Sequence, residues 1–376
     1  MAKRRKAKDT TGHRARTPLQ MPAPAWRAIA ARTWKRTWQD NVGLVAAGVT
    51  YYGFLAIVPL LGIIVLTYGL IADPATVVSN VRTITVMLPP DVATLVADQL
   101  IAAVEAAKQT KGVGILIALL VALYGGTNGA SAIITALNIA YEEKEKRSLG
   151  GFYLLATIMT AAAVVLAVFA LVATTALAFL GSLAPNTSPL TVALARIGGF
   201  VLMTLSAAAI AATLYRYAPS REHARWTWIT PGSLFAAIAW LLLTLGFSFY
   251  VTSITDYNVT YGSLGTIVVL LTWLYLSAYV LIFGAELNSE IEHQSSRDTT
   301  TGAPRPLGKR GAWAADNVAT SGEPDRHAAP SMAEAMPEPP TVDMLPGVGP
   351  AKPKRAAPTP RKPAPRRTPA RKGKKT

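Results

Sequence analysis

Few side chains in this sequence could do chemistry, and most of those sit at the ends of apolar runs. Glu286 and Asn288 close the run Tyr261–Glu290 within Gly-Ala-Glu-Leu-Asn, and Asp40 and Asn41 stand where an earlier run begins. A carboxylate and an amide at such a boundary could form a gate or coordinate a cation, since ionisable groups at membrane depth are costly and tend to be functional. Glu286 falls at the C-terminal end of its run, where the helix dipole disfavours negative charge. It therefore calls for a cationic partner, and Arg216 and Arg221 are the candidates. Such a pair could equally do no more than tie helices together. Asp40 and Asn41 are placed the other way. An Asx residue at a helix start caps it, and a carboxylate there suits the positive end of the dipole.

The remaining polar candidates carry no charge. Tyr51 and Tyr52 lie about two turns into the first apolar run, and Pro59 interrupts the same run, freeing a carbonyl one turn earlier. Gly125 and Gly129 are spaced G-x-x-x-G, which permits close helix contact, and Gly126 adjoins them. Asn128 and Asn138 add amides to the second run. Tyr261, Gly262, Ser263 and Gly265 make the turn-like Tyr-Gly-Ser-Leu-Gly that opens the last. Polar contacts between helices and a substrate path would use the same residue types, so both readings stand.

Several chemistries are excluded. The chain has no Cys, which removes disulfides, thiol catalysis and Cys-ligated zinc. The four His, at 13, 223, 293 and 327, are scattered over tails and loops. No H-E-x-x-H, Walker loop or G-x-S-x-G occurs. The acids do not cluster as a two-metal nuclease centre requires. The chain is expected not to be an enzyme and to need no cofactor or metal.

The elements that position these residues follow from composition. Of 376 residues 51% are apolar and only 15% charged, a balance that suits membrane spans better than a soluble core. Windows free of ionisable residues are long enough to cross a hydrocarbon layer of roughly 30 Å, where only helices satisfy the backbone. Six spans are expected near 44–70, 114–139, 152–180, 191–215, 231–252 and 263–286. The loops at 142–147 and 216–225 carry three Lys/Arg each, while those at 182–190 and 253–260 carry none. Both termini are therefore expected in the cytoplasm, with the 72–112 loop, which has its own helical spacing from Val92 to Leu100, outside.

The net charge of +16 is concentrated at the two ends. Residues 26–40 place Trp26, Ile29, Ala30, Trp34 and Trp38 on one helical face and Arg32, Lys35 and Arg36 on the other. That pattern predicts an interfacial helix on the inner leaflet. Residues 1–25 and 293–376 lack apolar periodicity and are expected to be disordered basic tails flanking a membrane domain over 26–292. Their partners would be anionic lipid headgroups or, less simply, nucleic acid. Nothing in the sequence fixes an oligomeric state. The fold class is thus an all-α polytopic membrane protein, with six transmembrane helices, an N-terminal interfacial helix and basic tails.

Four stretches resemble the YihY/BrkB family of bacterial inner-membrane proteins, once labelled ribonuclease BN. They are Asp40–Leu61, Leu137–Tyr141, Leu214–Ser220 and Pro231–Glu290, the last with the Tyr-Gly-Ser-Leu-Gly and Gly-Ala-Glu-Leu-Asn elements. The resemblance covers about residues 26–292 and leaves both basic tails outside. It implies a six-span protein of the bacterial inner membrane, for which transport or export has been inferred in some members. The expected function is accordingly transporter-like or lipid-handling. A non-transporting envelope scaffold is the alternative, and ribonuclease activity the reading with least support. The resemblance also marks Asp40, Asn41, Glu286 and Asn288 as motif positions.

Overall fold

The computed structural model describes residues 11–68, 98, 113–182, 188–253 and 264–319. The helical spacing expected within 72–112 lies outside these residues apart from position 98, and so do Tyr261, Gly262 and Ser263. All described residues belong to one unit, Met1–Glu338. They form an all-helical protein. After a short 3-10 turn, Pro18–Gln20, come α1 (Ala23–Gln39), α2 (Val42–Tyr68), α3 (Val113–Ala140), α4 (Leu149–Ser182), α5 (Pro189–Tyr217), α6 (Trp226–Ser253), α7 (Leu264–His293) and the single turn α8 (Trp313–Asp316).

Five of these helices contain stretches long and apolar enough to cross a membrane: Leu120–Ala140, Leu149–Ala170, Ala193–Tyr217, Trp226–Val251 and Ile267–His293. The apolar part of α2 is shorter over its described side chains, Val42–Ile57, although the helix itself runs 27 residues. At 1.5 Å per residue that is about 40 Å, more than a hydrocarbon layer needs. Large side chains such as Leu166, Phe169, Leu202 and Phe249 stand exposed on the outer faces of these helices. This is the inverse of a soluble bundle and the arrangement expected where lipid is the solvent.

Packing runs from α4 to α3, α2, α7, α6 and α5 in turn, with α7 also touching α3. Glycine sets the closest approaches. A Cβ on Gly125 would come 2.7 Å from the Cγ of Pro59, and one on Gly129 3.1 Å from the Cβ of Ala56. The G-x-x-x-G spacing thus lets α3 lie against α2 where Pro59 interrupts it. A second crossing escaped the sequence reading. Gly232 on α6 meets the carbonyl of Gly284 on α7, with Asn288 2.5 Å from where its Cβ would stand. Among the described residues α4 and α5, at the two ends of this series, make no extensive contact.

Two expectations need correction. Asp40 does not cap the first span. It is the C-cap of α1, and Asn41, with φ of +50°, makes the sharp break before α2. Asn is among the few non-glycine residues that adopt this left-handed conformation readily. The carbonyl of Asn41 then accepts the first helical bonds, from Leu44 and Val45. The tails are also shorter than composition indicates. Residues 11–22 and 294–319 are built onto one end of the bundle, where Ser296 N–H donates to His13 O, Glu222 N–H to Gly311 O and Ala319 N–H to His293 O. These segments lack periodicity because they dock irregularly on helix ends, yet they bury Ala15, Met21, Ala314 and Ala315.

Candidate functional site at the polar end of the bundle

Among the described residues, the buried charged groups gather at the end of the bundle where α1, the 141–148 and 218–225 loops and residues 294–319 meet. Helix α1 packs on α7 through Ala25 and Ile29, which join Trp228 and Ile291 in one buried cluster. Its outward face carries Trp34 and Trp38, exposed and in edge-to-face contact at 6.1 Å. That suits a helix lying in the headgroup layer. On the basic face Lys35 is exposed, but Arg32 and Arg36 turn to acids of the bundle. Arg32 binds Glu290 at 2.5 Å and Gln294 at 2.7 Å. Arg36 is buried and binds Glu142 at 2.7 Å.

The network continues inward. Arg221 binds Glu292 at 2.7 Å and lies over the Tyr141 ring at 5.0 Å. Thr299 donates to the same Glu292 at 2.8 Å. Glu143 accepts from Lys146 Nζ and from the Trp313 N–H. Burial nevertheless pushes the Glu143 carboxyl above the usual carboxylate range, against the pull of Arg221, Lys146 and that N–H. The alternating signs in Glu142–Arg147, facing Arg32, Arg36 and Arg221, were the sequence signal for this network. Sequence alone could not say which acid meets which base.

Glu286 has a different neighbour from those expected. Arg216 gives its guanidinium to the Ala224 carbonyl and lies 4.7 Å over Trp226, while Arg221 is taken by Glu292. The break at Asn41 instead turns Asp40 back onto α7, where its carboxyl neighbours that of Glu286, with Glu290 and Glu142 also near. Both are buried. Among the described residues no group of His, Asp and Glu is arranged to hold a metal ion.

The other candidates divide by position. Asn288 accepts from Gly232 N–H at 2.8 Å and donates to Ile229 O at 2.9 Å, patching the backbone beside Pro231 inside α6. Asn138 accepts from Ser220 N–H and donates to Glu145, tying the two polar loops together. Tyr51 and Tyr52 are exposed on the outside of α2, paired edge to face. Asn128 is half-buried in α3, and Gly265 is buried in the first turn of α7. These residues do not converge on one polar path.

Two cavities lie near this end. The first, about 420 Å³, sits within the bundle between α2, α3, α5, α6 and α7. Val49, Gly53, Ala207, Ile210, Ala237 and Leu281 are among its lining, with Thr50 and the Trp240–Ser277 hydrogen bond as its main polar features. The second, about 630 Å³ and lined in part by charged side chains, opens beside the 141–148 and 218–225 loops.

Against known proteins, residues 33–307 match the family model described as virulence factor BrkB. A UPF0761 membrane protein of Alteromonas mediterranea is 26% identical over 292 residues, 76% of this chain and 95% of that protein. The ribonuclease-like protein YfkH of Bacillus subtilis is 33% identical over 174 residues, 46% of this chain and 63% of its own length. A UPF0761 membrane protein of Pseudoalteromonas translucida is 42% identical over 69 residues, 18% of this chain and 23% of its own. The chain thus covers less than two thirds of the length of these last two relatives. No solved structure matches.

Proposed function

Since the chain belongs to the virulence factor BrkB family and is an integral membrane protein, we propose that it handles lipid or another amphiphile, taking an apolar chain from the bilayer into the space between α2, α5, α6 and α7. The observation that carries this reading is the 420 Å³ cavity. Its size falls in the range of ligand sites, and its lining is apolar with a few placed polar groups. A carrier of polar solutes would instead need the amides and tyrosines to converge, and Asn138, Asn288, Tyr51 and Tyr52 are dispersed. The ribonuclease-like name of YfkH is not carried over, because Glu142, Glu290 and Glu292 are engaged by Arg36, Arg32 and Arg221. The charge pattern of the loops supports an inner-membrane orientation with both ends in the cytoplasm, and the basic termini suit anionic headgroups on that side.

The test is lipid uptake by the purified full chain, followed with a photo-crosslinking acyl chain in proteoliposomes. Ala207→Phe, which fills the cavity from a half-buried wall position, is expected to cut crosslinking severalfold while the melting temperature holds. Unchanged crosslinking in a folded variant refutes the reading.

A further inference from the structure

The second cavity has a different character. Lys146, Arg147, Arg221 and His223 line it together with the single acid Glu222, whose carboxylate is held by Arg305 at 3.1 Å. The loops that carry the cations are pre-set. Lys146 N–H donates to Ser220 Oγ at 3.0 Å, and Arg147 Nη2 donates to the Ala218 and Pro219 carbonyls at 2.8 and 2.6 Å. Arg147 and Arg221 are paired with Glu145 at 3.7 Å and Glu292 at 2.7 Å, and the Lys146 ammonium, 60% exposed, reaches Glu143 at 3.0 Å. The Lys146 head and the exposed part of Arg147 remain open to the cavity, and an ammonium beside a guanidinium is what a tetrahedral oxyanion would satisfy.

Position identifies the source of the anion. The apolar part of the lining is Leu155 from α4 and Tyr217 from α5, both within stretches that can cross the membrane. The exposed rings of Tyr217 and Trp226 meet edge to face at 6.3 Å beside the cavity, as aromatic side chains do at headgroup depth. Among the described residues, helices α4 and α5 make no extensive contact with each other. The cations therefore sit at the head of a seam between spans.

We propose that this cavity seats the phosphate of an anionic phospholipid whose acyl chains lie along the seam between α4 and α5. The proposal rests on the lipid-handling reading above and assigns it a headgroup class. The crowding of positive charge is already visible in the cavity. Burial, and then the neighbouring Arg216, Arg147 and Arg221, hold the His223 ring below its usual range. A bound phosphate would reverse that field.

Native mass spectrometry of the full chain in detergent, with phosphatidylglycerol and phosphatidylcholine of identical chains in competition, tests the assignment. The wild type is expected to retain the glycerol lipid with about tenfold preference, since each cation near an anionic headgroup is worth on the order of 1 kcal/mol. Lys146→Gln alone, at a side chain 60% exposed, should reduce the preference severalfold, and Lys146→Gln with His223→Gln should bring it near parity while total lipid retained stays constant. In histidine-labelled protein, the His223 titration should move upward on adding phosphatidylglycerol. Equal retention of the two lipids by the wild type, or unchanged preference in the folded variants, overturns the proposal. Competition by millimolar inorganic phosphate as effective as the lipid would assign the cavity to a free anion instead. Ala207→Phe separates the two readings. If it lowers retention of both lipids while the Lys146 and His223 variants change nothing, the headgroup seat fails alone. If only the cation variants matter, the chain cavity fails alone.

Discussion

Arg36 offers the sharpest test of whether the polar end is a set of true buried ion pairs. Its side chain is 5% exposed, as is that of Glu142, 2.7 Å away. Glu290 lies 3.7 Å from the same guanidinium, and the Trp313 ring lies beneath it at 5.5 Å. Arg36→Met keeps most of the stem but leaves Glu142 charged and buried beside Glu290. Breaking a buried pair on one side costs about 3–5 kcal/mol, whereas an exposed pair is worth about 0–1 kcal/mol. The cost here should fall near 3 kcal/mol, because Arg32 still serves Glu290. The double variant Arg36→Met/Glu142→Gln removes the orphaned charge as well, and should recover at least about half of the loss, since paired neutral replacements are often tolerated. Reversible unfolding in mixed dodecyl maltoside and sodium dodecyl sulfate measures all three terms of the cycle. A single-variant cost below about 1 kcal/mol, or a double variant as unstable as the sum of its parts, would show that Glu142 is solvated and the reasoning wrong.

Three other outcomes follow from the same geometry. Glu286→Gln should leave the protein as stable as the wild type or more so at neutral pH, because it relieves the contact with Asp40; a melting temperature lowered by several degrees would mean that the carboxylate has an attractive partner. Gly232→Ala should cost about 2 kcal/mol or more, since its Cβ would strike Gly284 O and Asn288, while Gly246→Ala, with open space around it, should be neutral or stabilising by up to about 1 kcal/mol; equal melting shifts for the two would refute the crossing of α6 and α7. For Glu143, burial raises the folded value above the ordinary 4.5, so the group favours folding fully only below that ordinary value, and this contribution is lost as pH rises through the raised folded one. Glu143→Gln should therefore be more stable than the wild type at neutral pH, with the gap closing toward pH 4, as chemical unfolding at a series of pH values would record.

The sequence exposed the site's parts unevenly. Asp40, Glu286, Asn138 and Asn288 were marked because polar residues stand out against apolar runs, and all four are buried at the polar end. Arg32 and Arg36 were read only as the basic face of an interfacial helix, since a helical wheel shows which residues share a side but not what that side meets. Arg216 was matched to Glu286 by membrane side alone. The backbone carbonyl of Ala224, eight residues on, proved to be its partner. The two cavities left no trace in the sequence, because each is lined by side chains from several separate segments.

What the chain determines by itself is the class of solvent each segment can tolerate. Long runs without charge must be helical in lipid, so the all-helical membrane class was legible from composition and length. Tertiary structure decided the pairing of the buried charges. The left-handed turn at Asn41 brings Asp40 to Glu286, and residues 294–319 fold back to bring Trp313 to Glu143 and Thr299 to Glu292. Hydrophobicity is a property of each residue alone, whereas a charge is stabilised only by a partner, and which partner arrives depends on how the whole chain turns.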